Sequence, residues 1–221
     1  MVATIADHEP DVIILTEFVE GDTPRDTMRH DFAVHGFEHV LVSPPERLAR
    51  GWGNQVLIAS RQPMDRLEPP AEAPDASART NLLAVRTGGL SLTGLRAPYY
   101  TTTQGWYQYW AWLSPRLATD VVIGDFNTDL ARNKPRDRVL STLTSGRDWA
   151  HMEPEGPWSY RGRTLTSRLD HVICRPSWVI TAARYVPEPF VPEWTDHALL
   201  VADVERASSM GASGNSRETG V

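Results

Sequence analysis

Residues 11–17, Asp-Val-Ile-Ile-Leu-Thr-Glu, form an apolar run rich in β-branched residues that stops abruptly at an acid. That is the pattern of a buried strand delivering a carboxylate at its carboxyl end. Residues 2–8 before it read as helical. Further strands are predicted over 38–42, 54–60, 81–86, 91–96, 121–124, 168–174, 179–185 and 198–204, with Gly88-Gly89 marking a hairpin between two of them. Helices are predicted over 23–35, 104–117 and 135–143. In the second of these, Trp106, Tyr109, Trp110 and Leu113 follow the i, i+3, i+4, i+7 spacing of one buried face. Strands outnumber helices, and only some strand pairs have a helix between them. This predicts an α/β (α+β) fold of mixed sheets with helices outside. Residues 63–78, dense in proline, alanine and acids, have no periodicity and read as a surface loop between strands. Residues 207–221 have almost nothing to bury and read as a disordered tail, which leaves one folded domain over 1–206.

Composition agrees with one domain: 221 residues, 41% hydrophobic and 23% charged. A chain of this length buries roughly 70–75% of the surface it exposes when unfolded, so its core needs neither disulfides nor metal. The single Cys174 cannot form an internal disulfide, and no Cys/His cluster offers a tetrahedral zinc site, which fits a reducing compartment. No apolar run approaches about 18 residues, and the amino end carries acids where a signal peptide has a basic head. With Met1 as the true start, the expectation is a cytoplasmic protein with no membrane span. A net charge of −6 argues against non-specific coating of duplex nucleic acid, which needs many phosphates neutralised at once. A local basic cleft remains compatible with it.

The candidate chemistry sits where strands end. In Val121-Val-Ile-Gly-Asp-Phe-Asn127, period-2 geometry points Asp125 and Asn127 to one side. An ionised Asp can orient or deprotonate a water or bind a hard cation, while Asn offers a neutral donor to a phosphoryl oxygen. A Gly-Asp after a strand is also a common simple turn. Ser167-Arg-Leu-Asp170 brings another acid to a strand, and Trp194-Thr-Asp196-His197 enters the last one. An acid bonded to one imidazole nitrogen leaves the other free for a reacting oxygen. A histidine at a strand start is commonly structural. Several acids sharing a cleft with it weaken that reading, because such carboxylates repel unless a cation sits among them.

Taken in order, these residues resemble the endonuclease/exonuclease/phosphatase (DNase I-like) superfamily. Residues 11–18 are similar to its strand with a metal-binding glutamate, here Glu17, and Gly53-Asn-Gln-Val-Leu-Ile-Ala-Ser-Arg61 resembles its central strand. Gly124-Asp-Phe-Asn127 resembles the signature Gly-Asp-x-Asn, Arg168-Leu-Asp170-His the Arg-Ile-Asp-Tyr strand, and Thr195-Asp196-His197 the closing Ser-Asp-His. The resemblance implies a four-layer αββα sandwich of two mixed sheets with outer helices. It also implies a Mg2+-dependent phosphodiesterase, with Mn2+ as the alternative ion, acting on a phosphate ester and in the first instance on nucleic acid. Glu17, Asp125 and Asp196 would hold the metal. Asp125 would activate the attacking water, Asn127 would bond a phosphoryl oxygen, and His197, oriented by Asp170, would contact the phosphate. A phosphomonoesterase or lipid/inositol phosphatase is the alternative within the superfamily, and a catalytically silent binding module the alternative outside enzymes.

Two departures from the family pattern carry expectations. The sequence as given starts at the helix after the family's first strand with its Asn ligand; a misplaced start, a truncation and a truly absent strand are the alternatives. For the chain as given the expectation is an unpaired sheet edge near the site, weak metal affinity and a melting temperature that rises when an upstream segment is restored. At the end of residues 91–96, where relatives place a histidine or tyrosine, this chain has Arg96. Arginine does not give up its proton, but its fork can clamp two phosphoryl oxygens, so an electrostatic role in catalysis is expected, with a structural ion pair as the alternative. Tyr99, Tyr100, Trp158, Tyr160 and Arg168 are the candidate substrate contacts. His171 should face away from Asp170 and is read as structural. The sequence carries no signal for an oligomeric state.

Overall fold

The β-branched run after Asp11 folds as a strand, β1 (Val12–Phe18), preceded by a short helix, α1 (Val2–Ala6). Val2 and Ile5 of the helix share a buried cluster with Ile13 and Phe18 of the strand. These elements belong to a computed structural model that describes residues 1–18, 23–44, 47–48, 51–52, 54–98, 102–132, 138–145, 148–187 and 195–208. The chain continues through α2 (Thr23–Val34), β2 (His39–Val42), β3 (Arg47–Leu48), β4 (Gly51–Trp52) and β5 (Gln55–Ser60). Next come β6 (Met64–Arg66), α3 (Ala76–Thr80), β7 (Leu82–Thr87), β8 (Leu90–Arg96) and α4 (Thr103–Leu113). The second half holds β9 (Val121–Asp125), α5 (Arg138–Thr144), β10 (Ala150–His151), β11 (Tyr160–Arg161), β12 (Thr166–Ser167), β13 (Asp170–Cys174), β14 (Trp178–Val186) and β15 (Leu199–Arg206).

A six-stranded sheet runs β10-β13-β9-β8-β7-β6 and is antiparallel except where β8 pairs parallel with β9. Parallel neighbours need a crossover, and α4 supplies it. Thr102 caps this helix by accepting from the Gly105 amide at 3.1 Å. Its buried Trp106, Tyr109, Trp110 and Leu113 pack with Leu82, Leu95, Val122 and Ile173 of the sheet, as the helical spacing of the aromatics predicts. On the sheet's other side, Leu83, Val85, Leu92, Val121 and Val172 meet Val56 and Ile58 of β5 and Ile180 and Ala183 of β14. Beyond that layer, Ile13, Val42, Leu57 and Ala59 meet Val2, Ile5 and the fully buried Phe32 of α2. The layers are therefore α4, sheet, sheet, α1 with α2, the expected four-layer sandwich.

The second sheet layer comes in pieces, β1-β5-β2 and β14-β15, all antiparallel. Leu199 of β15 packs into the outer cluster with Ile13, while Ala202 and Val204 pack into the inner one with Val12 and Ile14, so both pieces share one layer. Among the described residues β1 pairs only with β5 and β15 only with β14.

Residues 63–78 depart from expectation. Instead of a plain loop they hold β6, which pairs with β7 through Met64↔Thr87 and Arg66↔Val85, and the start of α3, whose Ala78 is buried in the α4 cluster. A three-residue edge strand is too short to show periodicity and takes its bonds from its neighbour. The Ala207 amide donates to the Ser177 carbonyl at 2.9 Å, so ordered pairing reaches one residue past the expected boundary. Most of the predicted tail, 209–221, lies outside the described residues.

Candidate active site

Arg96 closes β8, Asp125 closes β9 and Asp170 opens β13, and the register makes them direct neighbours: Arg96 pairs with Asp125 and Asp125 with Asp170. Cross-strand partners share a face of the sheet, so one guanidinium and two carboxylates stand side by side over three strands. The second layer adds Glu17 from the end of β1. A register shift between Leu15 and Phe18 and a φ of 58° at Glu17 mark the irregularity there. Glu17 Oε1 lies 2.5 Å from Arg96 Nη2.

Gly124 is needed for Asp125 to sit where it does. Its φ is 141°, and a Cβ on it would stand 2.0 Å from the Leu95 carbonyl oxygen. Gly124→Ala is therefore expected to lower the unfolding free energy by about 2–5 kcal/mol, combining backbone strain with a clash against a backbone atom that cannot move aside. Urea denaturation checks this, and a loss below about 1 kcal/mol would show that the turn can rearrange.

The turn after β9 closes on itself. The Asn127 backbone amide donates to Asp125 Oδ1 at 2.7 Å, and its side-chain amide donates to Asp125 Oδ2 at 2.9 Å and to the Ala97 carbonyl at 2.7 Å. Both side-chain protons of Asn127 are thus used inside the protein. In this arrangement Asn127 fixes the Asp125 carboxylate. Burial, then the charge of Asp170 beside it, pushes Asp125 up to about 7 despite the opposing pull of His197 and Arg96.

His197 donates from Nδ1 to Asp170 Oδ2 at 2.8 Å. Burial alone would lower its pKa, but the charge of Asp170 and this bond raise it to about 9. Burial likewise pushes Asp170 up, and the charge and hydrogen bond of His197, helped by Ser159, hold it below its ordinary value. At neutral pH the pair is therefore an imidazolium on a carboxylate, with Nε2 as the nitrogen Asp170 does not hold. Asp196 Oδ1 lies 4.0 Å from that nitrogen and is 60% exposed, so it can move with solvent. The Tyr160 ring packs against the His197 ring at 5.2 Å between centroids, and its backbone bridges His197.

The other sequence candidates either have partners within the protein or lie outside the described residues. Arg168 is held by Glu153 and by the Gly156 carbonyl, so its charge is engaged away from the Asp125 and His197 side chains. Trp158 stacks under the Arg161 guanidinium, 6.0 Å from its ring centroid. Tyr99 and Tyr100 lie outside the described residues. His171 is structural, as expected: it is buried, and its Nε2 lies 2.8 Å from the Thr128 carbonyl, which pins the loop after Asn127. Sequence reasoning passed over Ser159 and Tyr185. Ser159 Oγ accepts from the Leu169 and Asp170 amides at 2.7 and 3.1 Å, and its carbonyl accepts from Ala198 at 2.6 Å, tying the Asp170 strand to the His197 segment. Tyr185 donates its hydroxyl to the Asp170 carbonyl at 2.7 Å. The alternation of β14 was the one available signal for Tyr185, since it puts this residue on the inward face.

Helix-flanked paired sheets with an acid–amide turn and an acid–imidazole pair at their strand ends define a DNase I-like αββα sandwich. The chain belongs to the Endonuclease/Exonuclease/phosphatase family, whose profile matches residues 1–197, and it is a phosphoester hydrolase at the level of that superfamily. Solved structures agree on the fold. A 3′ phosphatase from Neisseria, bound to a product DNA hairpin, is similar at 18% identity with a TM-score of 0.69, over 92% of each chain. An AP endonuclease from Archaeoglobus fulgidus matches at 16% identity, also with a TM-score of 0.69 over 92% of each chain. An endonuclease/exonuclease/phosphatase from Bacteroides vulgatus matches at 14% identity and a TM-score of 0.67, over 93% of this chain and 88% of that one. No curated protein sequence matches the chain. No helix among the described residues is long and apolar enough to cross a membrane.

Enzymes of this family generally use a divalent metal. The residues expected to hold one, Glu17, Asp125 and Asp196, do not fit it as they are arranged. Among the described residues no group of three or more His, Cys, Asp or Glu side chains is placed to hold an ion. Glu17 is closed by Arg96, and both Asp125 oxygens already accept from Asn127.

Proposed function

We propose that the chain hydrolyses phosphate esters in nucleic acid by in-line attack of a water on phosphorus. The observation that carries this reading is the placement of Arg96, Asp125 and Asp170 on adjacent strand ends with His197 bonded to Asp170 at 2.8 Å; burial raises Asp125 to about 7, and Asp170 raises His197 to about 9. A base poised near neutrality and a neighbouring cation are what attack on an anionic ester requires. Asp125 takes the proton of the attacking water as its oxygen bonds phosphorus and the ester oxygen leaves. His197 Nε2–H and the Arg96 fork bond the phosphoryl oxygens, where negative charge grows in the transition state. Asp170 holds the imidazole in register, and Asn127 keeps Asp125 from turning away.

Nucleic acid is favoured because the Neisseria neighbour is bound to DNA and the Archaeoglobus neighbour is an AP endonuclease. The rim of this site also offers the Tyr160 ring and the Trp158–Arg161 stack to bases. The test is a panel of abasic-site duplex, 3′-phosphorylated and single-stranded DNA, RNA and an inositol phosphate, each with and without Mg2+. The expected result is the highest kcat/KM on one of the nucleic acids. Turnover confined to the inositol phosphate would move the reading to the phosphatase branch. Silence on every substrate by the folded chain would favour the binding module.

A further inference from the structure

The β11–β12 hairpin that brings Tyr160 against His197 has strands of two residues each, paired Tyr160↔Ser167 and Arg161↔Thr166. A two-stranded ribbon is marginal in water by itself, so what holds it decides where its side chains stand. On the β11 side the Arg161 amide donates to the Asp196 carbonyl at 2.9 Å, and the Ala198 amide to the Ser159 carbonyl at 2.6 Å. On the β12 side Arg132 reaches in, its Nη2 donating to the Thr166 carbonyl at 3.3 Å and to the Ser167 hydroxyl. Arg132 ends a helical turn, Leu130–Arg132, in the loop after Asn127, and its Nε lies 3.2 Å from Asp129 Oδ2. Asp129 is buried; its Oδ1 accepts from the Ala131 amide at 3.1 Å, and its Oδ2 also accepts from the Arg168 amide at 3.4 Å, just ahead of β13. One carboxylate and one fork thus join the loop after Asp125, the approach to β13 and the hairpin. A guanidinium can do this because its donors point several ways from one rigid plane.

We infer that Arg132, held by Asp129, is a positioning residue for substrate binding: it locks the β11–β12 hairpin to the loop after Asp125 and Asn127, and so fixes the Tyr160 ring and the Trp158–Arg161 stack on which a nucleic-acid strand lies. The register supports this directly. Tyr160 pairs with Ser167, whose hydroxyl Arg132 bonds, and Arg161 pairs with Thr166, whose carbonyl Arg132 bonds. The two residues that Arg132 grips are therefore the cross-strand partners of two rim residues. Loosening that grip costs binding before chemistry, because Asp125 keeps its bonds from Asn127, and the Thr128 carbonyl keeps its place on His171. The inference rests on the reading that nucleic acid crosses this rim, and it is read by exchange and binding as well as by turnover.

The test compares the full wild-type chain with Arg132→Gln. Hydrogen exchange at the Arg161 and Gly162 amides, which donate to the Asp196 and Leu165 carbonyls, is expected to quicken at least about tenfold relative to Val172 in β13. Binding of a labelled single-stranded DNA, followed by fluorescence anisotropy in EDTA, is expected to weaken at least about fivefold as the stacking surface loosens. Where the wild type turns over, the fall in kcat/KM on that DNA should lie in KM and exceed the fall on bis(p-nitrophenyl) phosphate, too small to reach the hairpin, by at least about fivefold. Unchanged exchange or unchanged DNA binding overturns the inference, and so does an equal fall on both substrates, which is what a merely structural loss gives. A wild-type chain that binds no DNA overturns it too. A wild type that binds DNA but hydrolyses neither substrate removes the hydrolase reading instead, and exchange and anisotropy then decide the role of Arg132. Should Arg132→Gln fail to fold, Arg132→Lys is read in the same way: it keeps a charge on Asp129 but has no fork to span to Thr166 and Ser167.

Discussion

His197→Ala is expected to lower kcat by about 10²–10⁴ and to destabilise the chain by about 3–5 kcal/mol. The activity loss follows from removing the cation that faces the phosphoryl oxygens. The stability loss follows from Asp170, which is buried, loses the 2.8 Å bond to Nδ1 and is left charged without its partner. The two effects separate with pH. His197 is raised to about 9 from an ordinary 6.5, so its stabilising contribution is fully present below 6.5 and is lost as pH rises through 9. Asp170 is held below its ordinary 3.8, so its contribution is present above that value and fades as pH falls. Urea denaturation should show the wild type's advantage over His197→Ala at its fullest between about pH 4 and 6.5, and shrinking at either extreme. Equal stabilities at pH 6 would mean that the pair does not form.

Asp125→Asn separates chemistry from folding. Turnover is expected to fall by about 10³ because the amide cannot accept the proton of the attacking water. Stability is expected to stay within about 1 kcal/mol of wild type at pH 8. The substitution removes a carboxylate that burial and Asp170 make costly to ionise, and gives up one of the bonds from Asn127. A variant that loses stability in step with activity would make Asp125 a structural residue. Full activity in a folded Asp125→Asn chain would exclude it as the base.

The fold was legible because its signals are local. The run in β1, the hairpin at Gly88-Gly89 and the aromatic face of α4 each state their own geometry within a dozen residues, and the structure repeats them within a residue or two at most ends. The pair Asp170–His197 was legible through the family pattern, which orders motifs that the chain keeps. What the sequence could not show depends on register and on satisfied valences. Glu17 and Arg96 lie on different sheets and meet only because a bulge turns the end of β1 toward the end of β8. Asn127 was read as a donor to substrate because an amide has two protons to give. Only the positions of the Asp125 carboxylate and the Ala97 carbonyl reveal that both have partners inside the protein. Ser159 sits between two aromatics that drew the attention, and nothing in a lone serine announces two backbone amides on its oxygen.

The most direct measurement is the pH dependence of kcat/KM for the wild-type chain, from pH 5 to 10, on the best phosphoester of the panel. With Asp125 at about 7 acting as the base and His197 at about 9 acting as the cation, activity should climb through a limb near 7 and fall through one near 9. A profile that is flat from 6 to 10, or one whose limbs persist unchanged in Asp125→Asn and His197→Ala, would contradict the assignment of both residues.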